Sequence, residues 1–147
     1  MNKVAIGCDP NAAGLKEELK KYLKELGHEC EDYGSEDPIY ASVAIRVAEA
    51  VAAGKYDRGI LVCGTGIGMS IAANKVKGAY AALVSDAYSA ERARKSNNAN
   101  IMTLGAFTVG LEHAKTLVRV WMESEYTPGG RSESKVQRYF EYDRKRG

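Results

Sequence analysis

The chain is poor in the residues that most often announce a chemistry. It has three cysteines, Cys8, Cys30 and Cys63, an odd number with no Cys-x-x-Cys spacing. That argues against a disulfide framework or a zinc site and fits a reducing, cytoplasmic compartment. It has two histidines, His28 and His113. The first begins an outer strand and the second lies in the last long helix beside Glu112. Neither is expected near the carboxyl end of a strand, which removes a Cys–His nucleophile pair unless the fold brings one close. No apolar run approaches the roughly 20 residues that span a bilayer. From Met1-Asn2 the chain enters a strand pattern at once, without the apolar core of a signal peptide. A net charge of +2 is too small to imply nucleic acid or an anionic membrane as partner. No internal repeat, low-complexity segment or interdomain linker is present.

What is there reads as one soluble domain. Its 147 residues are 45% apolar and 27% charged, enough for a real core. Lys3 to Cys8 reads as a strand. Leu15, Leu19, Tyr22, Leu23 and Leu26 follow at helical spacing, closed by Gly27. His28 to Tyr33 is a more polar strand, and Tyr40 to Ala53 a second helix closed by Gly54. Ile60 to Val62 is a continuous apolar strand, Ala79 to Val84 a fourth and Ile101 to Leu104 a fifth, with helices over Asp86 to Ser96 and from Leu111 onward. Strands alternate with helices throughout. The expected class is therefore α/β, a Rossmann-like three-layer α/β/α arrangement of a five-stranded parallel sheet with a C-terminal helical tail. Residues 1–125 form the main domain and 126–147 the tail. In the tail, Val136, Tyr139 and Phe140 lie at i, i+3 and i+4, and residues 131–147 carry a local charge of +3. So narrow an apolar stripe at the end of a closed domain predicts packing on another subunit; a frayed basic tail is the alternative.

The chain is organised around Ile60-Leu61-Val62-Cys63-Gly64-Thr65-Gly66-Ile67-Gly68-Met69-Ser70. A buried strand ends in a thiol and passes through three glycines into a helix. Such a turn presents backbone N–H groups to negative charge, and the same groups favour an anionic sulfur. A buried structural thiol is the usual use of a free cysteine, but this position equally suits a nucleophile or base. The loop lacks the Gly-Lys-Ser/Thr of a phosphate-binding P-loop, and it follows the third strand rather than the first, so a nucleotide reading is weak. Asp9, at the end of the first strand, suits either a helix N-cap or a ligand contact. Asn97, Asn98 and Asn100 suit a turn. Arg131 and Lys135, four apart, are either a solvated face or a phosphate clamp.

These residues resemble the type B ribose-5-phosphate isomerase family of sugar-phosphate isomerases. The resemblance is carried by Gly7-Cys8-Asp9, by Cys63-Gly64-Thr65-Gly66-Ile67-Gly68 with Ser70-Ile71-Ala72-Ala73-Asn74-Lys75, by Asn97-Asn98-Ala99-Asn100, by Val109-Gly110-Leu111 and by Gly129-Gly130-Arg131. It implies an aldose–ketose isomerase working through a cis-enediolate, with no metal or organic cofactor. It further implies a homodimer or higher homo-oligomer whose active sites lie at the subunit interface, reached by the partner's C-terminal segment. Cys63 would be the base and Thr65 would bond near the reacting carbons. The Gly64, Gly66, Ile67 and Gly68 segment would hold the enediolate oxygen. Asp9, Tyr40 and Asn97 would touch sugar hydroxyls, and Arg131 and Lys135 the phosphate.

The chain departs from the family at named positions. Pro10 stands where the family carries His after Cys-Asp, Ser96 where it carries the ring-opening His, and Phe107 where it carries an Arg that helps hold phosphate. Ile39 replaces an Asp, and the tail's second Arg is Lys135, which keeps the charge and loses the bidentate fork. The enediolate machinery is retained while ring opening and phosphate binding are thinned. The expected activity is isomerisation of ribose 5-phosphate or a related sugar, including one that is already open-chain. Two other readings fit the same residues: an impaired or heteromeric subunit that binds sugar and completes a partner's site, and a redox-sensing thiol at Cys63.

Overall fold

In the computed structural model, residues 2–146 are described. Met1 and Gly147, the outer ends of the two expected segments, lie outside the described residues. The apolar strand runs and the periodic helices follow one another as β1 (Lys3–Cys8), α1 (Ala13–Glu25), β2 (Glu29–Asp32), α2 (Tyr40–Ala52), β3 (Arg58–Cys63), α3 (Ile67–Ala73), β4 (Ala81–Leu83), α4 (Ala87–Lys95), β5 (Ile101–Gly105), α5 (Leu111–Glu123) and α6 (Glu133–Arg144). The strands pair in parallel in the order β2-β1-β3-β5-β4.

That order explains the layers. The chain reverses direction across the sheet after β2 and again after β4. With right-handed crossovers, α1 and α4 fall on one face and α2 and α3 on the other. Side chains alternate accordingly. Val4, Ile6, Cys8, Ile60 and Val62 pack with Leu19, Leu23, Ala90, Leu117 and Trp121 under α1, α4 and α5. Ala5, Leu61 and Cys63 face Ala44, Val47 and Met69 of α2 and α3. The three-layer sandwich is the one the sequence implies. It also separates two thiols: Cys8 and Cys63 end neighbouring strands but point to opposite faces. Burial pushes the thiols of Cys8 and Cys30 up to about 11, so both stay neutral and serve packing.

Two buried arginines lock the amino-terminal edge of the sheet. Arg58, 2% exposed, donates to the carbonyls of Trp121, Met122 and Ser124 at 2.7, 3.0 and 3.1 Å. Arg94 donates to Ala99 O at 2.7 Å. The orphan carbonyls at the end of α5 thus find charged donors, and Glu125 pairs with both guanidinium groups.

The tail is more ordered than a fraying segment and uses its apolar stripe within its own chain. Val136 is fully buried, and the ring of Phe140 lies 5.3 Å from that of Tyr80. Asp143 accepts from Gly78 N and Tyr80 Oη, both at 2.7 Å, and from Arg146 at 2.9 Å. The outer face of α6, with Arg131 just before it and Lys135, Tyr139 and Tyr142 on it, remains exposed. Among the described residues no helix is long and apolar enough to cross a membrane.

Candidate active site

Cys63 is the last residue of β3, and the loop behind it is fixed from several sides. Gly66 adopts φ +85°, a left-handed turn that a side chain resists. A Cβ there would also lie 2.5 Å from Leu83 Cδ1. In this conformation the Gly66 N–H donates to Cys63 Sγ at 3.1 Å. The Gly66 carbonyl accepts from Thr103 Oγ1 at 2.9 Å, a buried hydroxyl in the middle of β5. The segment after β5 closes over the other side: Ala106 N donates to Cys63 O at 2.7 Å and Phe107 N to Gly64 O at 2.9 Å. Gly105 has to be glycine for this approach, since a Cβ would lie 2.7 Å from Thr65 Cα.

The result is a buried cysteine, 3% exposed, whose sulfur accepts the Gly66 N–H. The Ile67 N–H is turned onto Thr65 Oγ1 at 3.2 Å. The N–H groups of Gly68 and Met69 belong to the first turn of α3, where no intrahelical carbonyl reaches them. Thr65 is exposed at the rim, and the Phe107 ring, 73% exposed, lies against Gly64. Tyr40 opens α2 and brings its hydroxyl over Gly68; a Cβ on Gly68 would fall 2.1 Å from that oxygen. Asp9 follows β1 beside β3, its N–H on Val62 O at 3.0 Å. Of its two possible uses, the cap is present: Oδ1 accepts from Ala12 N at 3.0 Å, and the residue is 7% exposed.

The loop that leads to Tyr40 is anchored by Asp32. It accepts from Lys16 Nζ and Lys20 Nζ, both at 2.9 Å, and from Gly34 N at 2.8 Å. Burial works to raise this carboxyl, but the two ammonium groups and the N–H outweigh it and hold it down at about 2. Gly34 in turn accepts the Cys8 N–H at 3.1 Å, which ties this loop to the one carrying Asp9.

The remaining expected site residues lie elsewhere. Ser96 and Asn97 follow α4 and precede β5, so they sit at the amino-terminal edge of the sheet, one strand length, roughly 15–20 Å, from the Cys63 edge. Lys135 joins them there, its Nζ on Asn97 Oδ1 at 3.0 Å. Arg131 makes no ion pair among the described residues. The twelve expected residues thus divide into two sets at opposite edges: Asp9, Tyr40, Cys63, Gly64, Thr65, Gly66, Ile67 and Gly68 at one, Ser96, Asn97, Arg131 and Lys135 at the other.

His113 corrects the sequence reading. It lies in the first turn of α5, which starts at the carboxyl edge of β5 and not away from it. Asp86, the N-cap of α4 at that edge, has its carboxyl lowered mainly by the Ser89 N–H and hydroxyl and in smaller part by His113. Three contributors escaped sequence reasoning. Thr103 had only the weak signal of one hydroxyl in an apolar strand. Leu83 had none. Tyr139 read as part of an apolar stripe, although it stands four residues after Lys135.

Between the two sets runs the flank made by α3 and β4, with Ile67, Ile71 and Leu83 exposed by 52, 58 and 44%. A roomy groove lies on the far side, between α1 and β2, lined by lysines and glutamates together with His28 and Cys30. It contains none of the residues gathered at either edge.

The family model described as Ribose/Galactose Isomerase matches residues 4–139. A ribose-5-P isomerase B of Listeria innocua is 51% identical over 97% of this chain and 98% of its own length. A D-erythrulose-4-phosphate isomerase of Pectobacterium atrosepticum is 47% identical over 99% of both. The solved ribose-5-phosphate isomerase B of Clostridium thermocellum superposes with a TM-score of 0.91 at 42% identity, covering 97% of this chain and 98% of that one.

Proposed function

Because the chain belongs to the ribose/galactose isomerase family, and is thereby a sugar-phosphate aldose–ketose isomerase, we propose that Cys63 is its base and that its preferred substrate is an open-chain sugar phosphate. The observation that carries the reading is the Gly66 N–H on Cys63 Sγ at 3.1 Å, in the loop that leads into the first turn of α3. The thiolate takes the proton from the carbon beside the carbonyl, giving a cis-enediolate. Loop amides hold the oxygen where negative charge develops; once the hydroxyl proton has passed from the neighbouring oxygen to this one, the thiol returns its proton to the neighbouring carbon and the new carbonyl forms. Thr65 at the rim is suited to bond near the reacting carbons. Asp9 and Tyr40 flank them for the sugar hydroxyls.

The substrate preference follows from what lies opposite. Ser96 has no group that exchanges a proton near neutral pH, in contrast with the histidine that the resemblance leads one to expect there. Its hydroxyl accepts from Arg92 at 3.0 Å. A tetrose 4-phosphate has its ring-closing hydroxyl esterified, cannot form a furanose, and needs no ring-opening acid. The relative named for D-erythrulose 4-phosphate supports this choice. The exposed Phe107 ring supplies an apolar wall next to Gly64 in place of a further cation.

Two copies complete the site in this reading. No single chain can bring Lys135 to Cys63 across the sheet. A two-fold dimer packed on the α3–β4 flank would set each Cys63 edge against the partner's Asn97–Lys135 edge, burying Ile67, Ile71 and Leu83. The tail, resting on its own chain, would reach the partner with its exposed face.

The test is a turnover assay with D-erythrulose 4-phosphate and ribose 5-phosphate on wild type and Cys63→Ala. The reading expects a higher kcat/KM for the four-carbon substrate and a loss of about 10²–10⁴ in the variant for both. Unchanged turnover in Cys63→Ala would remove Cys63 as the base.

A further inference from the structure

Lys135 and Tyr139 lie one helical turn apart on α6 and reach the same atom. Lys135 Nζ donates to Asn97 Oδ1 at 3.0 Å, and Tyr139 Oη donates to it at 2.9 Å. The other end of the amide donates to Arg92 O at 2.9 Å, which fixes its orientation. A carbonyl oxygen has two lone pairs, and here both are taken. In the free protein Asn97 is therefore a positioning residue for these two donors, and its Oδ1 is released for another partner when they are drawn away.

What it positions is a pair of donors with converging heads. The Lys135 ammonium also lies 5.9 Å from the Tyr139 ring centroid, so the two side chains travel together. The next residue, Phe140, stacks on Tyr80 and Val136 is buried, so the helix that carries both is held in place. Tyr139 is 37% exposed at its outer side. A neutral amide oxygen is a modest acceptor. An anionic phosphate oxygen forms charge-assisted bonds roughly twice as strong with the same donors. A phosphate arriving at this face would draw both away from Asn97, and Arg131, four residues before Lys135, adds a third donor.

We propose that Tyr139 is a specificity-determining residue for the phosphate end of the substrate, forming with Lys135 a two-donor clamp that Asn97 holds ready in the free protein. This rests on the sugar-phosphate reading above, but the binding measurement in its test does not require turnover. Inorganic phosphate is titrated calorimetrically into the full-length wild type and into Tyr139→Phe, which keeps the ring and its packing and removes only the hydroxyl. The expected result is a loss of about tenfold in phosphate affinity, matched by a similar rise in KM for the phosphorylated substrate, with kcat shifting much less than KM. A phenylalanine variant with wild-type phosphate affinity and KM would overturn the proposal, as would a wild-type protein that binds no phosphate. Failure of Cys63 as base would appear only in the turnover of Cys63→Ala and would leave the titration unaffected.

Discussion

The Gly66 N–H lies 3.1 Å from Cys63 Sγ, in a turn that only glycine adopts without strain. With Cys63 as the proposed base, the contact joins a backbone conformation to the chemistry. Gly66→Ala would force the φ of +85° on a side chain and press its Cβ to within 2.5 Å of Leu83 Cδ1. The left-handed conformation alone costs about 1–2 kcal/mol, and relief of the contact moves the N–H off sulfur. The expected outcome is a folded protein by circular dichroism, a lower melting temperature and a kcat reduced by about 10²-fold, in the range lost with one oxyanion-hole donor. A variant with wild-type kcat would separate this contact from the chemistry.

Ser96 and Phe107 are expected to set which sugar is used. Ser96→His would return a group able to exchange protons at neutral pH. It is expected to raise kcat/KM for ribose 5-phosphate by about tenfold or more, while changing that for D-erythrulose 4-phosphate much less. Parallel steady-state assays on both substrates check this. An equal change for both would count against ring opening as the missing function.

Asp32 predicts an acid limb of stability. Its carboxyl is held at about 2, against 3.8 for the ordinary side chain, with burial opposing and Lys16, Lys20 and the Gly34 N–H prevailing. The folded state binds fewer protons than the unfolded chain in this window. The stabilisation is therefore complete above about pH 4 and is lost as the pH falls toward 2. The carboxylate is 26% exposed, and after screening by solvent the contribution is about 1–2 kcal/mol. Urea unfolding of Asp32→Asn between pH 5 and pH 2 is expected to show a shallower pH dependence than wild type by that amount.

The sheet was legible because its central strands are continuous apolar runs bounded by glycines and by Asp9 and Ser85-Asp86. The loop at Cys63 was legible because a thiol before three glycines has few structural uses. Boundaries shifted where tertiary contacts decide. Helix α3 starts at Ile67, inside the run of three glycines, since the Gly66 turn already begins it, and β4 spans three residues instead of the expected Ala79 to Val84, pairing with β5 alone. Other features left no local trace. Nothing in the neighbourhood of Arg58 or Arg94 in sequence says that the end of α5 will bury both guanidinium groups. The division of the site into two edges was implicit, since a turn that precedes a strand lies at its amino end, but only the sheet order makes it unavoidable. The tail's apolar stripe fitted a partner and also fitted its own chain, where Phe140 lies on Tyr80 and Asp143 takes the Gly78 N–H in the turn before β4.

In the proposed dimer, one chain's Cys63 works with another chain's Arg131 and Lys135. Two variants test it directly, Cys63→Ala and the double change Arg131→Ala with Lys135→Ala. Each alone is expected to lose nearly all isomerase activity. Unfolded together and refolded as an equal mixture, half of the dimers would pair unlike chains, and each such dimer would hold one intact site and one doubly defective one. The composite site predicts recovery of about a quarter of wild-type activity. A mixture as inactive as its components would contradict it.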